Sequence, residues 1–287
     1  MSDITVINDS EQSSLVTNGL AKNGELYLKA AGSTDEGAIV VYDSGSWRTF
    51  ANESGPEAIT NDYSVDFDGS NDYMDFGTNT TINSSSAFSV SAWFNVDNIA
   101  SFPSICLLKT NLTKGFTIGL ANTTGANAVY NGVWFGSASN EFKGFATNNS
   151  TLSATLVSGW HHLVLSYDGV NPLSSSSFNV YIDGTAYAST QGVGLGSYAN
   201  VNYVGKGGVN FNGLIDEFAI FDSELSSSDA TDIYNSGVPL SLSSYSPVGW
   251  WRMGDNDSGT GTTITDQGGS NDGTLTNGPT FSSSVPS

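Results

Sequence analysis

Basic residues are scarce in this chain of 287 residues: eight lysines and arginines stand against 28 aspartates and glutamates, a formal net charge of -20. The eight are scattered from Lys22 to Arg252 and form no basic patch. Because binding to a nucleic-acid backbone needs such a patch, we expect no nucleic-acid partner. An anionic membrane surface would also repel the chain. The acidic excess instead fits high solubility, work in salty surroundings or cation binding.

Cysteine and long apolar runs are also nearly missing. The single cysteine, Cys106, allows no intrachain disulfide, and its apolar neighbours predict a buried small side chain. No apolar run approaches the roughly 18 residues of a membrane-spanning helix, so we expect no membrane insertion. The first residues lack the basic and apolar regions of a secretory signal, so none is expected.

Short alternating strands, separated by turns of glycine, asparagine, aspartate and serine, fill most of the chain. In segments such as 213–221, apolar residues recur at the spacing of strands. The Asp183-Gly184 pair predicts a tight hairpin. Helical spacing is confined to residues 226–234, where Ser227 or Ser228 is the candidate cap. Many short strands at regular spacing predict an all-β sandwich or jelly roll.

The chain divides into segments of different character. We predict a small N-terminal β module in residues 1–58 and a sandwich in residues 59–287, with the segment 238–287 completing the sandwich. A module of two or three strands buries too little apolar area to be stable alone. It should therefore dock on the sandwich, on a symmetry mate or on a particle surface, which gives it an expected role in anchoring or oligomerisation.

Five blocks in the main array resemble concanavalin A-like lectin/glucanase domains of the laminin-G and pentraxin type. They are VDFDGSNDYM (65–74), FSVSAWF (88–94), WHHLV followed by YDG (160–169), VYIDG (180–184) and GLIDEFAIF (213–221). The resemblance implies a jelly-roll β-sandwich. It says much less about function, because one fold serves many functions.

The order of two further blocks departs from this family. The segments GWWRM (249–253) and TDQGGSNDGTL (265–275) usually precede the main array, whereas here they follow it, so the order resembles a circular permutation. This arrangement is similar to virion-associated proteins of marine bacteriophages. Residues 23–50 resemble short modules at the start of phage tail and head-fibre proteins.

The resemblance implies a non-catalytic bacteriophage virion structural protein, either a capsid decoration or a fibre or tail component. It would be assembled in the host cytoplasm and displayed on the virion surface, for particle stabilisation or adhesion to a host-surface glycan. The expected partners are other virion proteins, with a homotrimer favoured for a fibre. The alternative is a free bacterial carbohydrate-binding lectin or adhesion module, and a remote alternative is a glycoside hydrolase.

Two observations argue against an enzyme. Glycoside hydrolases need two carboxylates that flank the scissile bond. Asp216 and Glu217 are neighbours on a predicted strand and should point to opposite faces, with no carboxylate at the next positions on either face. The adjacent His161 and His162 are expected to be structural, one facing the core and one the solvent.

Calcium is the expected cofactor, because Ca²⁺ prefers carboxylate, amide and carbonyl oxygens in loops. The resemblance implies a structural ion held by one loop and one strand, through Asp266, Asn271, Asp272, Asp216 and Glu217. Asp68 and Asp72 are secondary candidates. The alternative is that these residues only stabilise turns. The acidic loop 255–259 is expected to be a solvated turn.

Aromatic side chains beside loops rich in glycine and asparagine are candidate sugar contacts. Tyr130, Asn131 and Trp134 lie in such a stretch, and sugar binding commonly combines a ring with amide hydrogen bonds. The tryptophans within apolar strands, among them Trp93, Trp160 and Trp250, are expected to be packing residues.

Overall fold

The computed structural model describes residues 5–7, 10, 26–29, 39–43, 46–51, 57–77, 86–99, 103–111, 114–122, 131–137, 145–146, 155–189 and 200–287. The chain divides into two compact units, Met1–Glu57 and Ala58–Ser287. In the first unit, strands β1 (Thr5–Ile7), β2 (Leu26–Lys29), β3 (Ile39–Asp43) and β4 (Ser46–Ala51) form one sheet in that order, and the β1–β2 pair is parallel.

The second unit contains two antiparallel sheets. Sheet I contains β5 (Ser64–Asp68), β7 (Phe88–Val96), β12 (His161–Tyr167), β13 (Phe178–Ile182), β14 (Thr185–Ala188), β16 (Asn212–Phe221), β17 (Gly249–Trp251) and β20 (Thr280–Ser282). Sheet II contains β6 (Tyr73–Asp75), β8 (Ser104–Asn111), β9 (Lys114–Asn122), β10 (Asn131–Ser137), β11 (Phe145–Ala146), β15 (Asn200–Val204), β18 (Thr263–Ile264) and β19 (Gly273–Thr276).

The strand order in each sheet mixes distant parts of the chain. It is β14-β13-β12-β7-β16-β5-β20 in sheet I, with β17 also paired to β16, and β11-β10-β9-β8-β15-β6-β19-β18 in sheet II. A short helix, α1 (Ser227–Tyr234), is present in this unit. The predicted all-β jelly-roll sandwich is confirmed. Within the described ranges, no helix is long and apolar enough to span a membrane.

Sheet I is covered on both faces. Along β12, Leu163 and Leu165 belong to the main core, which also contains residues of sheet II, whereas Val164 belongs to a second apolar cluster. The second cluster includes Ala230 and Ile233 of α1. This double cover explains why β7 and β16 are buried along nearly their whole length, with little of the alternation typical of a strand that faces water.

Helix α1 begins with a capping box. The Ser226 hydroxyl accepts a hydrogen bond from the Asp229 N–H (3.2 Å), and the Asp229 carboxylate accepts one from the Ser226 N–H (2.7 Å). The expected cap at Ser227 or Ser228 was therefore wrong by one or two residues. Asp229 decides the position, since it lies three residues after Ser226 and can return the hydrogen bond.

Strands from the last forty residues of the chain belong to both sheets. Trp250 of β17 lies opposite Ala219, Leu275 of β19 lies opposite Met74, and β20 pairs with β5. Trp251 is fully buried in the main core, with its ring centroid 4.4 Å from that of Phe76. The C-terminal segment is thus an integral part of the double layer.

Candidate functional site: a buried carboxylate cluster

A β-bulge in β16 brings Asp216 and Glu217 together. The register of β16 against β7 shifts between Asp216 and Ala219, and Glu217 has a left-handed backbone (φ 46°). One carboxylate oxygen from each of Asp216, Glu217 and Asp255 lies within 4.8 Å of the others. The expectation that Asp216 and Glu217 face opposite sides of the sheet was therefore wrong, because the bulge interrupts the alternation of an extended strand.

Arg252 supplies the positive charge of this cluster. Its Nε donates to Glu217 Oε1 at 2.9 Å, and its Nη2 lies 3.5 Å from Asp255 Oδ2 and donates to the Thr60 carbonyl. The indole Nε1 of Trp250 donates to the second Glu217 oxygen, Oε2, at 2.6 Å. Both oxygens of Glu217 are therefore satisfied by donors from the segment that follows β16.

The other two carboxylates connect the cluster to the start of the sandwich. Asp216 Oδ2 accepts from the Asn61 side-chain amide at 3.0 Å, and its Oδ1 accepts from the Glu217 N–H at 2.8 Å. Asp255 Oδ1 accepts from the Asp62 N–H at 2.7 Å, and the Asp255 side chain is only 4% exposed. The expectation that the 255–259 loop is a solvated turn was thus wrong at Asp255.

Burial dominates the electrostatics of the cluster. Loss of hydration, followed by repulsion from Glu217, raises the pKa of Asp216 well above its usual value. Burial also raises the pKa of Glu217 to about 7, although Arg252 and Trp250 act in the opposite direction. Burial likewise raises the pKa of Asp255. Three carboxyl groups share one guanidinium, so the cluster retains protons at pH values where exposed carboxyl groups are ionised.

The position of the cluster excludes it as a hydrolytic centre. Its carboxylates are about as close as the ~5–5.5 Å pair of a retaining glycosidase. However, Asp216 is fully buried and Glu217 is 2% exposed, so a sugar cannot approach either group. The arrangement can hold β16, β17 and the 60–63 segment together, but it cannot flank a glycosidic bond.

Calcium binding at the cluster stays a prediction: three carboxylates lie close together there, and two buried oxygens, Asn61 Oδ1 and Asp255 Oδ2, have no hydrogen-bond partner among the described residues, but other contacts argue against the ion. Calcium takes about six to eight oxygen ligands. Here the oxygens of Glu217 and Asp216 accept hydrogen bonds from N–H donors, and the Arg252 guanidinium already supplies positive charge to Glu217 and Asp255. A divalent cation at this place would be repelled by the guanidinium.

The loop predicted to complete the calcium site is organised by backbone hydrogen bonds. The Asp266 carboxylate accepts from four backbone N–H groups at 2.9–3.0 Å, those of Trp250, Gly268, Gly269 and Asn271. Asp272 Oδ1 accepts from the Asp266 N–H at 3.0 Å. Asp266 is absent from the compact carboxylate group that the described residues form. The predicted joint site of this loop with Asp216 and Glu217 therefore lacks support from the geometry.

The secondary calcium candidates lie in an acidic turn after β5. Asp68 Oδ1 accepts from the Ser70 N–H at 2.7 Å, and Asp72 Oδ2 accepts from the Asp68 N–H at 3.3 Å. Burial raises the pKa of Asp66, with further contributions from the charges of Asp97, Asp72 and Asp68. Both candidates thus stabilise the turn, as the alternative expected. Calcium binding at this repulsive group of carboxylates stays a prediction.

The predicted sugar contacts cannot be placed as side chains. Tyr130 lies outside the described residues, as do the side chains of Asn131 and Trp134, whose backbones form part of β10. Their role stays a prediction.

The two histidines have different environments. His162 is 1% exposed, its Nε2 lies 2.8 Å from the Ser91 hydroxyl, and burial lowers its pKa to about 3. His161 Nδ1 lies 2.8 Å from an Asp183 carboxylate oxygen and its Nε2 lies 3.0 Å from the Thr155 carbonyl. One of the two rings was expected to face the solvent. The His161 side chain is only 13% exposed, so this expectation was wrong. Their contacts within the fold are structural.

Arg252 and Asp255 are the cluster residues that the sequence-based reasoning missed. A signal for Arg252 existed: it directly follows the apolar Trp250-Trp251 pair and is one of only eight basic residues in an acidic chain. A basic residue at the end of a buried strand indicates a buried carboxylate partner. No comparable signal marks Asp255.

Comparison with known proteins identifies one family and several solved structures of similar fold. The Laminin_G_3 model of the concanavalin A-like lectin/glucanases superfamily matches residues 68–231. A search of curated proteins finds no match. Among solved structures, a Bacteroides ovatus protein proposed to bind carbohydrate is 15% identical, with a TM-score of 0.52, covering 92% of this chain and 71% of that one. At this identity the likeness shows a shared fold.

Two further structures resemble the chain more loosely. A heptameric pentraxin from Limulus polyphemus is 13% identical, with a TM-score of 0.42, covering 62% of this chain and 84% of that one. The fourth domain of the extracellular arabinanase AbnA from Geobacillus stearothermophilus is 16% identical, with a TM-score of 0.40, covering 77% of this chain and 95% of that one.

Proposed function

Because this chain belongs to the concanavalin A-like lectin/glucanases superfamily, whose model matches more than half of its length, we propose that it is a non-catalytic carbohydrate-binding protein. The family match carries the carbohydrate-binding part of this proposal, and the burial of Asp216 and Glu217 carries the non-catalytic part. The carboxylates that the fold brings together are removed from solvent and engaged with Arg252, Trp250 and Asn61. The Bacteroides ovatus protein that shares the fold is itself proposed to bind carbohydrate.

An array of plant, algal and bacterial polysaccharides probed with the purified full chain tests the proposal. We expect retention on one class of polysaccharide that resists washing at moderate salt. Absence of binding across neutral and acidic polysaccharides alike would overturn carbohydrate binding as the function.

We further propose that the protein is displayed on a bacteriophage particle, as a capsid decoration or a fibre or tail component. The support is in the sequence: the order of the GWWRM and TDQGGSNDGTL blocks, and the N-terminal block. A separate N-terminal sheet, in the unit Met1–Glu57, is compatible with an anchoring or oligomerisation module. On this proposal its partners are other virion proteins and its place is the virion surface.

The competing proposal, a free bacterial lectin or adhesion module, accounts equally well for the fold. The two differ in where the protein is found. Mass spectrometry of gradient-purified particles should detect the chain at a fixed copy number per particle if it is a virion component, and mass photometry should show a trimer if it forms a fibre. Failure of the chain to sediment with particles would leave the free lectin as the function.

A further inference from the structure

The outer face of sheet II carries two neighbouring tyrosines. Strands β15, β6 and β19 lie side by side, and their residues Val204, Met74 and Leu275 are buried in the main core. Because side chains alternate along a strand, Tyr73 and Tyr203 lie on the opposite, outer face. Both residues are half-buried, so part of each is exposed to solvent.

A lysine is held against these two rings. The ring centroids of Tyr73 and Tyr203 are 5.0 Å apart with an interplanar angle of 79°. Lys206 Nζ lies 3.7 Å from the centroid of Tyr73 and 4.8 Å from that of Tyr203. The ammonium group is thus fixed by cation–π contacts. Among the ion pairs of the described side chains, none involves Lys206.

A carboxylate completes the group. Asp75 of β6 lies opposite Tyr203 of β15 in the sheet register, and burial together with the charge of Asp75 raises the pKa of Tyr203. One Asp75 oxygen accepts from the Gly77 N–H at 2.9 Å, which fixes the orientation of the carboxylate. We call Tyr73, Asp75, Tyr203 and Lys206 the outer-face patch.

The two sheets differ in how their outer faces are covered. On sheet I, a second apolar cluster built from α1 and the segment after it covers the tyrosine and tryptophan side chains. The apolar clusters of the described residues include no corresponding layer on the outer face of sheet II. Tyr73, Asp75, Tyr203 and Lys206 are each half-buried, so this group of two rings, a cation and a carboxylate is partly exposed to solvent.

We propose that the outer-face patch binds a neutral saccharide, which names a site for the carbohydrate-binding function proposed above and rests on it. The apolar C–H face of a sugar ring packs on tyrosine, while sugar hydroxyls accept hydrogen bonds from Lys206 and donate them to Asp75. Lys206 and Asp75 together carry no net charge. The chain as a whole has a net charge of -20 and repels acidic polysaccharides, so neutral sugars are favoured.

Two variants of the patch and one control test this site on the full chain. Lys206→Met keeps the aliphatic stem and removes the donor, and Tyr73→Ala removes a ring. Leu173→Ser changes a side chain that is 72% exposed in the loop before β13, outside the patch. The probes are galactan, mannan, xylan and laminarin as neutral polysaccharides, with alginate and polygalacturonate as acidic ones. Near-ultraviolet circular dichroism and the melting temperature report folding.

We expect the wild type to bind at least one neutral probe, and Lys206→Met and Tyr73→Ala each to weaken that binding by about tenfold or more, whereas Leu173→Ser changes it less than about twofold. If the folded patch variants bind as the wild type does, the site is overturned while the carbohydrate-binding function stands. If the acidic probes bind more tightly than the neutral ones, the proposal that the ligand is a neutral saccharide is overturned. If no probe binds the wild type, the proposed function itself fails, and the site with it.

Discussion

Trp250 donates a hydrogen bond of 2.6 Å from its indole Nε1 to Oε2 of Glu217, and thereby joins a strand near the end of the chain to the bulge of β16. Arg252, two residues later, binds the other oxygen of the same carboxylate. A buried ion pair of this kind is stable only while every member has its partner. The C-terminal segment thus supplies both partners of the Glu217 carboxylate, which lies in the middle of sheet I.

Removal of the guanidinium should be strongly destabilising. Arg252→Met leaves Glu217 and Asp255 without their positive partner, and we expect the free energy of unfolding to fall by about 3–5 kcal/mol in urea titrations. The double variant Glu217→Gln with Arg252→Met should recover part of this loss, because the unpaired charge is removed. Leu173→Ser, at a side chain that is 72% exposed and outside the cluster, is the control and should change stability by less than about 0.5 kcal/mol. Equal losses in the single and double variants would show that charge pairing is irrelevant here.

The raised pKa of Glu217 predicts a pH-dependent contribution to stability. The folded chain holds this proton with a pKa of about 7, against an ordinary 4.5. Between these values Glu217 therefore carries more of its proton in the native than in the unfolded protein, and its contribution to the free energy of unfolding falls as pH rises through this window. The raised pKa of His161 acts in the same direction at the upper end, since its contribution is lost as pH rises through its folded pKa.

His162 acts in the opposite direction, because its lowered pKa makes stability fall as pH decreases from 6.5 towards about 3. The effect of Glu217 is therefore measured as a difference between variants. We expect the stability of wild type relative to Glu217→Gln to decline, by at most about 3 kcal/mol, between about pH 4.5 and pH 7. A pH-independent difference would refute the raised pKa.

The adjacent histidines should titrate in opposite ways. Both ring nitrogens of His161 face acceptors, the Asp183 carboxylate and the Thr155 carbonyl, so the ring must carry two protons to satisfy them. Imidazole nitrogen shifts in NMR should show that His161 keeps its second proton to a higher pH than an ordinary histidine with a pKa of 6.5, and that His162 stays neutral down to about pH 3. Asp183→Asn should lower the pKa of His161 and leave His162 neutral. Two histidines titrating together near the ordinary value would disprove these environments.

Calcium binding should depend on the turn after β5 and not on the buried cluster. After chelation, added calcium should raise the melting temperature of the wild type, because an ion that binds only the folded state stabilises it. Asp72→Asn should abolish the rise while keeping an acceptor for the Asp68 N–H, and Asp216→Asn should retain it. An unchanged melting temperature on adding calcium to the wild type would remove calcium from the account.

Local patterns in the sequence were sufficient for most of the strands. The apolar spacing in residues 213–221 predicts β16 to within one residue at its start, and the Asp183-Gly184 pair forms the expected hairpin, with both residues at positive φ (51° and 71°). These features depend on neighbouring residues only. The position of the helix cap is also determined locally, because Asp229, three residues after Ser226, identifies Ser226 as the cap.

The site could not be predicted in the same way, because it depends on tertiary contacts. Nothing around Glu217 indicates a left-handed residue, since glycine and asparagine are the usual occupants and a glutamate is uncommon there. The approach of Asp255 to Asp216 requires the path of the chain from β16 through α1 to β17. Spacing along the sequence therefore placed Asp216 and Glu217 on opposite faces of the strand, whereas the bulge brings their carboxylates together.

The central claim is that the protein binds carbohydrate without cleaving it. The most direct test measures binding and hydrolysis on the same protein sample. The full chain is run by affinity electrophoresis through gels that contain galactan, mannan, xylan or laminarin, and the same polysaccharides are assayed for new reducing ends after incubation with the protein. We expect retarded migration in at least one gel and no release of reducing ends. Release of reducing ends by the wild type, lost in Glu217→Gln, would contradict this expectation.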